Sequence, residues 1–539
     1  MKRTLLVFLL GLMLQWAHAQ QKAKTIGNSV KSSLLSGIFS APIGTNIILQ
    51  NDGKNDLSLV AQKDGEKNFS ENVFNFPNPV LIDSKIKITV KKLPTGKTCA
   101  IYSGSEGIMS QNPNTVRVGC DFTYDLVSRN SNDAIFSSFY ETYDPAIGGN
   151  AGEEGRYVVF VSAAANIAGS TGKHRQVFWR DRNTGVTKLI SAGPNGEEGN
   201  ADSYAPAISG DGKTVAFESY SNNLVQNDKN NARDVFVWHT NTNKIETVSV
   251  GINGVEPNAE SLEPSVSGDG NYVAFTSMAS NISTIEKGVS NNNVFLRDLQ
   301  KGSTIMISID PSVGKGGGGS KPSISFDGNR IAFYSHTNTL VSGDNNGIWD
   351  IFLWEKGKSR LKRISLTADH KERNQGTESA NRIVSPSISG NGQYIAFATT
   401  ATNMTKTDTN NYQDVFVYDI TNDTTVMASI SAPGTSGNGD SPIEQGEKIA
   451  ISFDGKWVAF TTNATNLKVP AANVVMHNLA TGENKIVSSV SGSTVGRPSI
   501  SHSGSYVVFG IGGKLDSRFS SSGIFANYTG LGPCRSCPQ

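Results

Sequence analysis

The sequence predicts an all-β chain built as an array of repeated four-stranded sheets. Three observations predict it: a recurring phrase, an ordered run of strand signals around each copy, and an apolar third strand in each repeat. The phrase reads Pro206-Ala-Ile-Ser-Gly-Asp-Gly-Lys-Thr-Val-Ala-Phe217, then Pro264 to Phe275, then Pro322 to Phe333. It returns from Pro386 to Phe397, Ile449 to Phe460 and Pro498 to Phe509, and a worn copy runs from Pro145 to Phe160. Recurrence at this period denotes stacked or radial units, each unable to bury its apolar surface alone.

Taken in chain order, residues 1–19 read as a secretory leader. Lys2 and Arg3 start it, Leu5 to Leu14 is its apolar stretch, and Ala17-His18-Ala19 is a small-residue cleavage site. The apolar run is too short to span a bilayer, and no later stretch resembles a transmembrane helix. The protein is therefore expected to be exported, either periplasmic or secreted. Loss of Lys2 and Arg3 from 48 basic residues, against 47 acidic, leaves a net charge near −1. That balance argues against nucleic acid as a partner. In an exported chain Cys99, Cys120, Cys534 and Cys537 are expected to be oxidised. Of three connectivities, the simplest joins Cys99 to Cys120 and Cys534 to Cys537.

Residues 20–122 lack the phrase and form a separate module. Strand signals lie at Asn46 to Gln50, Leu57 to Ala61, Lys85 to Lys91 and Val116 to Cys120, with turns at Asn51-Asp-Gly53 and Leu93-Pro-Thr-Gly96. Leu49-Gln-Asn-Asp-Gly53, Phe74-Asn-Phe76, Pro94 to Cys99 and Val116 to Cys120 resemble a small β-sandwich (Ig-like) module of bacterial surface proteins. The resemblance implies a spacer or structural cap clamped by Cys99 and Cys120.

Residues 123–529 carry the repeats. In the second, Ala207 to Ser209 is a first strand and Gly210-Asp-Gly212 a tight turn, since Asp-Gly tolerates the positive φ a hairpin needs. Thr214 to Ser219, Asp234 to His239 and Lys244 to Val250 follow as strands. The third is apolar at successive positions, as suits burial on both faces. Four antiparallel strands per repeat describe the blade of a β-propeller. The elements Pro-x-Ile-Ser-x-Asp-Gly and Asp-Val-Phe-Val resemble the TolB-like, WD-like propeller repeat of exported bacterial proteins, over Tyr124 to about Tyr528. That resemblance implies a binding platform and no single chemistry. The seventh repeat lacks a fourth strand, while Tyr124 to Arg129 resembles one, so this early strand is expected to complete a seven-bladed ring. A six-bladed ring with a loose tail is the alternative. Residues 530–539 read as a flexible tail carrying Cys-x-x-Cys.

The loops from strand two to strand three, and from strand four to the next repeat, are long and open on one face, where a ligand is expected. Three such loops share Asp-x-Asn-x-x-x-Asp: Asp228, Asn230, Asp234; Asp344, Asn346, Asp350; and Asp408, Asn410, Asp414. Clustered carboxylate and amide oxygens suit Ca²⁺. The same side chains can instead cap their own backbone in Asx turns. Trp349, Tyr412 and Tyr204 in or near these loops are candidate contacts for a sugar or peptide. An Asn recurs at the start of the same loops, at Asn166, Asn223, Asn281, Asn403 and Asn466, a position that suits a chain turn. Lys315 and the four glycines after it read as a flexible connector.

No lipase-type Gly-x-Ser-x-Gly, no His-Glu-x-x-His and no phosphate loop occurs. His174, His239, His336, His370, His477 and His502 occupy unlike places in the repeats. The expected function is non-catalytic binding of an envelope or extracellular protein or glycan on the long-loop face. A propeller enzyme such as a polysaccharide lyase or hydrolase is the alternative.

Overall fold

The computed structural model describes residues 32–531 apart from 43–44, 63–68, 93–96, 104, 110–115, 130–141, 151–152, 289–291, 375–383, 432–433, 444–447, 469–471, 489–493 and 513–522. The leader at 1–19 and the tail cysteines Cys534 and Cys537 lie outside the described residues. The chain is all-β: no α-helix occurs among the described residues, and none of their helices is long and apolar enough to cross a membrane. It divides into two compact units between Cys120 and Asp121.

The smaller unit holds two four-stranded sheets. In one, Lys97–Ser103, Val116–Phe122, Ser36–Pro42 and Phe69–Asn75 lie side by side. In the other the order is Lys54–Val60, Asn46–Asn51, Lys85–Lys92 and Glu106–Ile108. Phe39, Phe74 and Val118 of the first sheet share one core with Leu49, Ile86 and Ile88 of the second. Cys99 and Cys120, on neighbouring strands, form a disulfide. The sequence pattern missed Ser36–Pro42, Phe69–Asn75, Lys97–Ser103 and Glu106–Ile108.

The larger unit holds seven four-stranded sheets among the described residues. The second is typical: Ser203–Ile208, Thr214–Ser219, Asp234–His239 and Lys244–Thr247 pair in sequence order, all antiparallel. The seventh takes its first three strands from Thr494–Ile500, Tyr506–Gly512 and Gly523–Tyr528. Its outermost strand is Tyr124–Leu126, with Leu126 opposite Phe525. Successive sheets pack face to face, and the first also packs on the seventh. The first strands of the sheets touch one another around the centre, the seventh returning to the first. The arrangement is propeller-like.

The repeated phrase explains this packing residue by residue. In Ser-x-Asp-Gly the Ser209 hydroxyl donates to Asp211 Oδ1 at 2.7 Å and accepts from the Thr214 amide at 3.0 Å, while Gly212 turns the chain at φ 72°. The final Phe of the phrase stacks across the hairpin on the Phe of strand three. The pairs are Phe160–Phe178, Phe217–Phe236, Phe275–Phe295, Phe333–Phe352 and Phe397–Phe416, with centroids 5.6 to 6.0 Å apart. These rings and the flanking Val and Ile residues make continuous cores between neighbouring sheets. Strand three is held at its start by a serine from the end of strand four: Ser249 Oγ donates to Asp234 Oδ1 at 2.7 Å and accepts from the Val235 amide at 3.1 Å.

Two details depart from the sequence reading. The first strand of the second sheet begins at Ser203, before the proline, because a bulge between Tyr204 and Ala207 lets the ladder continue past it. The segment Lys315 to Gly319 is no flexible connector. Lys315–Gly316 pairs with Ile309–Asp310, Gly318 N–H donates to Asn293 Oδ1 at 3.1 Å, and Gly316 to Gly319 are buried. A side chain at Gly319 would run into the Phe333 ring, so glycine here permits close approach rather than mobility.

The seam between first and seventh sheets carries a buried acid. Glu154 is 2% exposed, and its Oε1 accepts from the Ser503 amide at 3.0 Å. Burial pushes its carboxyl up to about 7, against the hydrogen bonds from Ser501 and Ser503. The folded protein therefore binds this proton more tightly than the unfolded chain. The contribution of Glu154 to stability is full below about pH 4.5 and is lost as pH rises through about 7, by up to about 3 kcal/mol. Glu154→Gln should flatten that slope and melt higher than the parent at pH 8; an unchanged pH profile would refute the assignment.

Candidate functional site

The inner strands bend at one repeated position. In five sheets a register shift falls just before the proline of the phrase. There Asp144, Ala205, Glu263, Lys321 and Arg497 hold positive φ, between 48° and 57°. Left-handed backbone at a residue with a Cβ costs on the order of 1–2 kcal/mol, and such bulges re-aim side chains beside functional sites. In the fifth and sixth sheets Ser385 and Lys448 stand at the equivalent place and bridge to each other. The ring thus reads Asp144, Ala205, Glu263, Lys321, Ser385, Lys448, Arg497. It lies toward the long-loop end of the inner strands.

Charge is divided around this ring. Lys448 Nζ reaches Asp144 Oδ1 at 2.5 Å and Arg497 Nη1 approaches the same oxygen at 3.6 Å. Burial pushes the Asp144 carboxyl up, but Lys448 and Arg497 outweigh it and hold it below its ordinary value. On the other side Glu263 Oε2 accepts from the Lys321 amide at 2.8 Å, and the Glu263 amide donates to Glu218 Oε2 at 2.6 Å. Glu218 pairs with Arg233 at 2.7 Å, and burial still raises its carboxyl. Burial lowers the Lys321 ammonium against the pull of Glu263. The side chains of Lys448 and Arg497 are each 33% exposed, whereas Asp144 and Glu218 are 5% and 6%. In the Asp144 and Glu218 pairs the more exposed partner is the cation.

Tyr204 belongs to the same rim. Its hydroxyl donates to Asp202 Oδ2 at 2.7 Å and accepts from Arg175 at 3.2 Å, and the Arg175 and Arg233 guanidiniums each lie 5.8 Å from its ring centre. Tyr412 is 45% exposed on its loop. Trp349 packs on the core between the fourth and fifth sheets and lies 4.7 Å from the His336 ring.

The opposite, tight-turn end is filled. Neighbouring turns bond to one another through Gly149 to Gly210, Gly210 to Gly268 and Phe326 to Gly390. Phe326, Phe453 and His502 stand where other repeats place glycine; Phe326 meets Phe453 edge to face with centroids 5.5 Å apart, and Phe453 stacks on His502 at 3.9 Å. A side chain at Gly268 would collide with the Phe326 ring.

The three Asp-x-Asn loops differ in environment. In each, the Asn Oδ1 accepts the amide two residues on: Ala232, Ile348 or Tyr412. In the second sheet Glu256 joins Asp228 and Asp234; burial, then mutual repulsion, pushes Asp228 up to about 7, and burial pushes Asp234 to about 6. In the fifth, burial pushes Asp408 to about 6 and Asp414 to about 7. In the fourth, Arg363 Nη1 sits 2.8 Å from Asp344, 3.5 Å from Asp350 and 3.2 Å from Glu372. Among the described residues no group of three or more His, Cys, Asp or Glu is disposed around a common metal position.

The recurring loop Asn side chains are spent on structure. Asn223, Asn281, Asn403 and Asn466 each accept from a connector amide and donate to a connector carbonyl. The histidines contact separate partners: His174 with Asp202, His239 with Thr214, His370 with Asp423 and His477 with Asn484. The sequence reading missed the axial ring. Its signal was present: the phrase holds constant while the residue before it swings between acid and base.

Comparison with known proteins gives fold-level likeness only. No protein-family model matches the chain, and no curated protein sequence matches it. Among solved structures it is similar to TolB from Acinetobacter baumannii, with 14% identity over 74% of this chain and 67% of that one, at TM-score 0.33. It is also similar to the β-propeller domain of the Trilobed protease from Pyrococcus furiosus, with 13% identity over 72% and 95%, at TM-score 0.42. Oligogalacturonate lyase from Vibrio parahaemolyticus gives 11% identity over 83% and 98%, at TM-score 0.45. At these values the sheet pairing, not the likeness, carries the description of the fold.

Proposed function

We propose that this chain is an exported, non-catalytic seven-bladed propeller, preceded by a β-sandwich spacer, whose axial mouth receives a carboxylate-bearing segment of an envelope or extracellular protein. One observation carries the reading. Five inner strands hold strained backbone at the mouth, four of them at a charged residue, and Lys448 and Arg497, each one-third exposed there, are cations. Their counter-ion Asp144 is buried, so an incoming carboxylate meets Lys448 and Arg497 first. The Tyr204–Arg175–Arg233 rim adds planar surface for a peptide group. The filled turn end leaves the long-loop end as the entrance.

The test is binding of immobilised poly-L-glutamate, with poly-L-lysine and polygalacturonate as parallel arms. Poly-L-glutamate should be retained, with affinity falling as salt rises. Lys448→Glu combined with Arg497→Glu should weaken retention tenfold or more. Equal retention by the double variant would overturn the proposal. Retention of polygalacturonate alone would move the ligand class to an acidic glycan, and its cleavage would establish the enzymatic alternative.

A further inference from the structure

We propose that the axial mouth receives the free C-terminus of a polypeptide, whose α-carboxylate meets Lys448 and Arg497 and then the main-chain amide of Ile500. This rests on the reading of the mouth as a carboxylate receptor and narrows it to one kind of carboxylate. The inner strands carry the argument. On each, the residue before the Ser of the phrase turns its amide and carbonyl to the free edge that faces the axis, because the next residue bonds into the ladder. Ser501 N–H donates to the Tyr506 carbonyl, and Ser209 N–H to that of Thr214, both at 2.9 Å. Such edge groups need partners, from the protein, from water or from a ligand.

In three places the neighbouring inner strand provides one. The Ile324 amide donates to Ser265 Oγ at 3.3 Å, that of Ile388 to Ser323 Oγ at 3.1 Å and that of Ile147 to Ser499 Oγ at 3.2 Å. Each serine stands second in its own copy of the phrase. Alanine holds that place on the strands next to Ile208, Val266 and Ile500, as Ala146, Ala207 and Ala450. No hydrogen bond from these three amides occurs among the described residues. Only one of the three lies with the exposed cations. Ile500 follows Arg497 on the seventh inner strand, beside the sixth, where Lys448 stands, whereas Ile208 and Val266 follow Ala205 and Glu263 on the second and third.

Two further observations select a chain end. The ring sets Lys321, Lys448 and Arg497 against Asp144 and Glu263, a surplus of one positive charge, which a single carboxylate neutralises and a polyanion overfills. Below the ring the passage is blind. Ala146, Ala207, Ser265, Ser323, Ser387 and Ser499 stand half-buried there, so solvent reaches past the charges, but Phe326, Phe453 and His502 fill the far end. Ile500 lies three residues inward of Arg497, roughly 7–10 Å along the strand. A carboxylate at that depth leads the chain that carries it, since no segment can thread through. The Ile500 carbonyl shares the edge with its amide and accepts the N–H of the terminal residue, a donor that a uronate lacks.

The experiment is fluorescence anisotropy of the full chain with three N-terminally labelled pentapeptides: penta-alanine with a free carboxylate, penta-alanine amide, and Ala-Ala-Glu-Ala-Ala amide. The free acid should bind about tenfold tighter than either amide. Ala450→Ser offers the Ile500 amide the hydroxyl that Ser499 offers Ile147, and should weaken the free acid by about threefold or more, the worth of one hydrogen bond. Ala207→Ser does the same for Val266, away from the exposed cations, and should leave the affinity unchanged. Equal binding of the free acid and the glutamate amide would overturn the inference while leaving the mouth a receptor for carboxylates, on which retention of poly-L-glutamate reports separately. No binding of the free acid, or full affinity in Ala450→Ser, would also overturn it.

Discussion

Leu126→Asp is expected to destabilise the larger unit by about 5 kcal/mol or more, the largest effect of any single change considered. Leu126 is 2% exposed and packs with Phe509 and Phe525 in the core between the sixth and seventh sheets. Truncation of such a side chain costs about 2–5 kcal/mol, and a buried carboxylate adds its desolvation. The strand it sits on also supplies Asp125, which pairs with Arg182 of the first sheet at 2.9 Å. Arg182 is itself buried and lies 5.1 Å from the Tyr506 ring. Loss of the strand would therefore bare the edge of Gly523–Tyr528 and release a buried guanidinium. Calorimetry of the purified variant should show the larger unit melting far lower, or no cooperative transition. A melt within a degree of the parent would show that the strand is dispensable.

Arg363→Met is expected to cost about 3–5 kcal/mol, because it removes one partner from a buried ion cluster. Asp344 and Asp350 are 3% and 1% exposed at the side chain; Asp350 would keep its contact with Arg373, and Asp344 would lose the guanidinium that faces it. Arg363 also donates to the Gly343 carbonyl at 2.9 Å, so the loop loses an anchor. Urea denaturation should show the loss, and Arg363→Met with Asp344→Asn should recover part of it by restoring charge balance. A single variant as stable as the parent would mean that the cluster is solvated rather than structural.

The sequence reveals more of the scaffold than of the site, and the reason is physical. Strands two and three are written in the repeated phrase and in Asp-Val-Phe-Val because their side chains fill the space between sheets, where each copy meets the same surroundings. Thr214–Ser219 and Asp234–His239 fall where the pattern places them. The start of the first strand was less legible, since the bulge before Pro206 carries the ladder through a proline. The charge ring escaped for a related reason. Asp144, Lys321, Lys448 and Arg497 are far apart in sequence, and only the cyclic packing of the inner strands brings them together. Glu256 was likewise invisible to a loop pattern, because it reaches Asp228 from the next connector. In the fourth loop the spacing pointed to a metal, and the Arg363 side chain, from strand four, enters that space instead.

Closure of the ring is tested most directly by a disulfide across its seam. Tyr124 lies opposite Asn527, two positions from the pair Leu126–Phe525, in a register where the Val127 amide bonds to the Ile524 carbonyl at 2.7 Å. Alternation along an antiparallel ladder makes Tyr124–Asn527 a non-hydrogen-bonded pair, the kind whose side chains stand closest. Tyr124→Cys with Asn527→Cys, in a chain with Cys534 and Cys537 replaced by serine, should yield a disulfide-linked peptide in a non-reducing digest. Both cysteines remaining separately alkylated under oxidising conditions would contradict the closed ring, and with it the mouth that the ring creates.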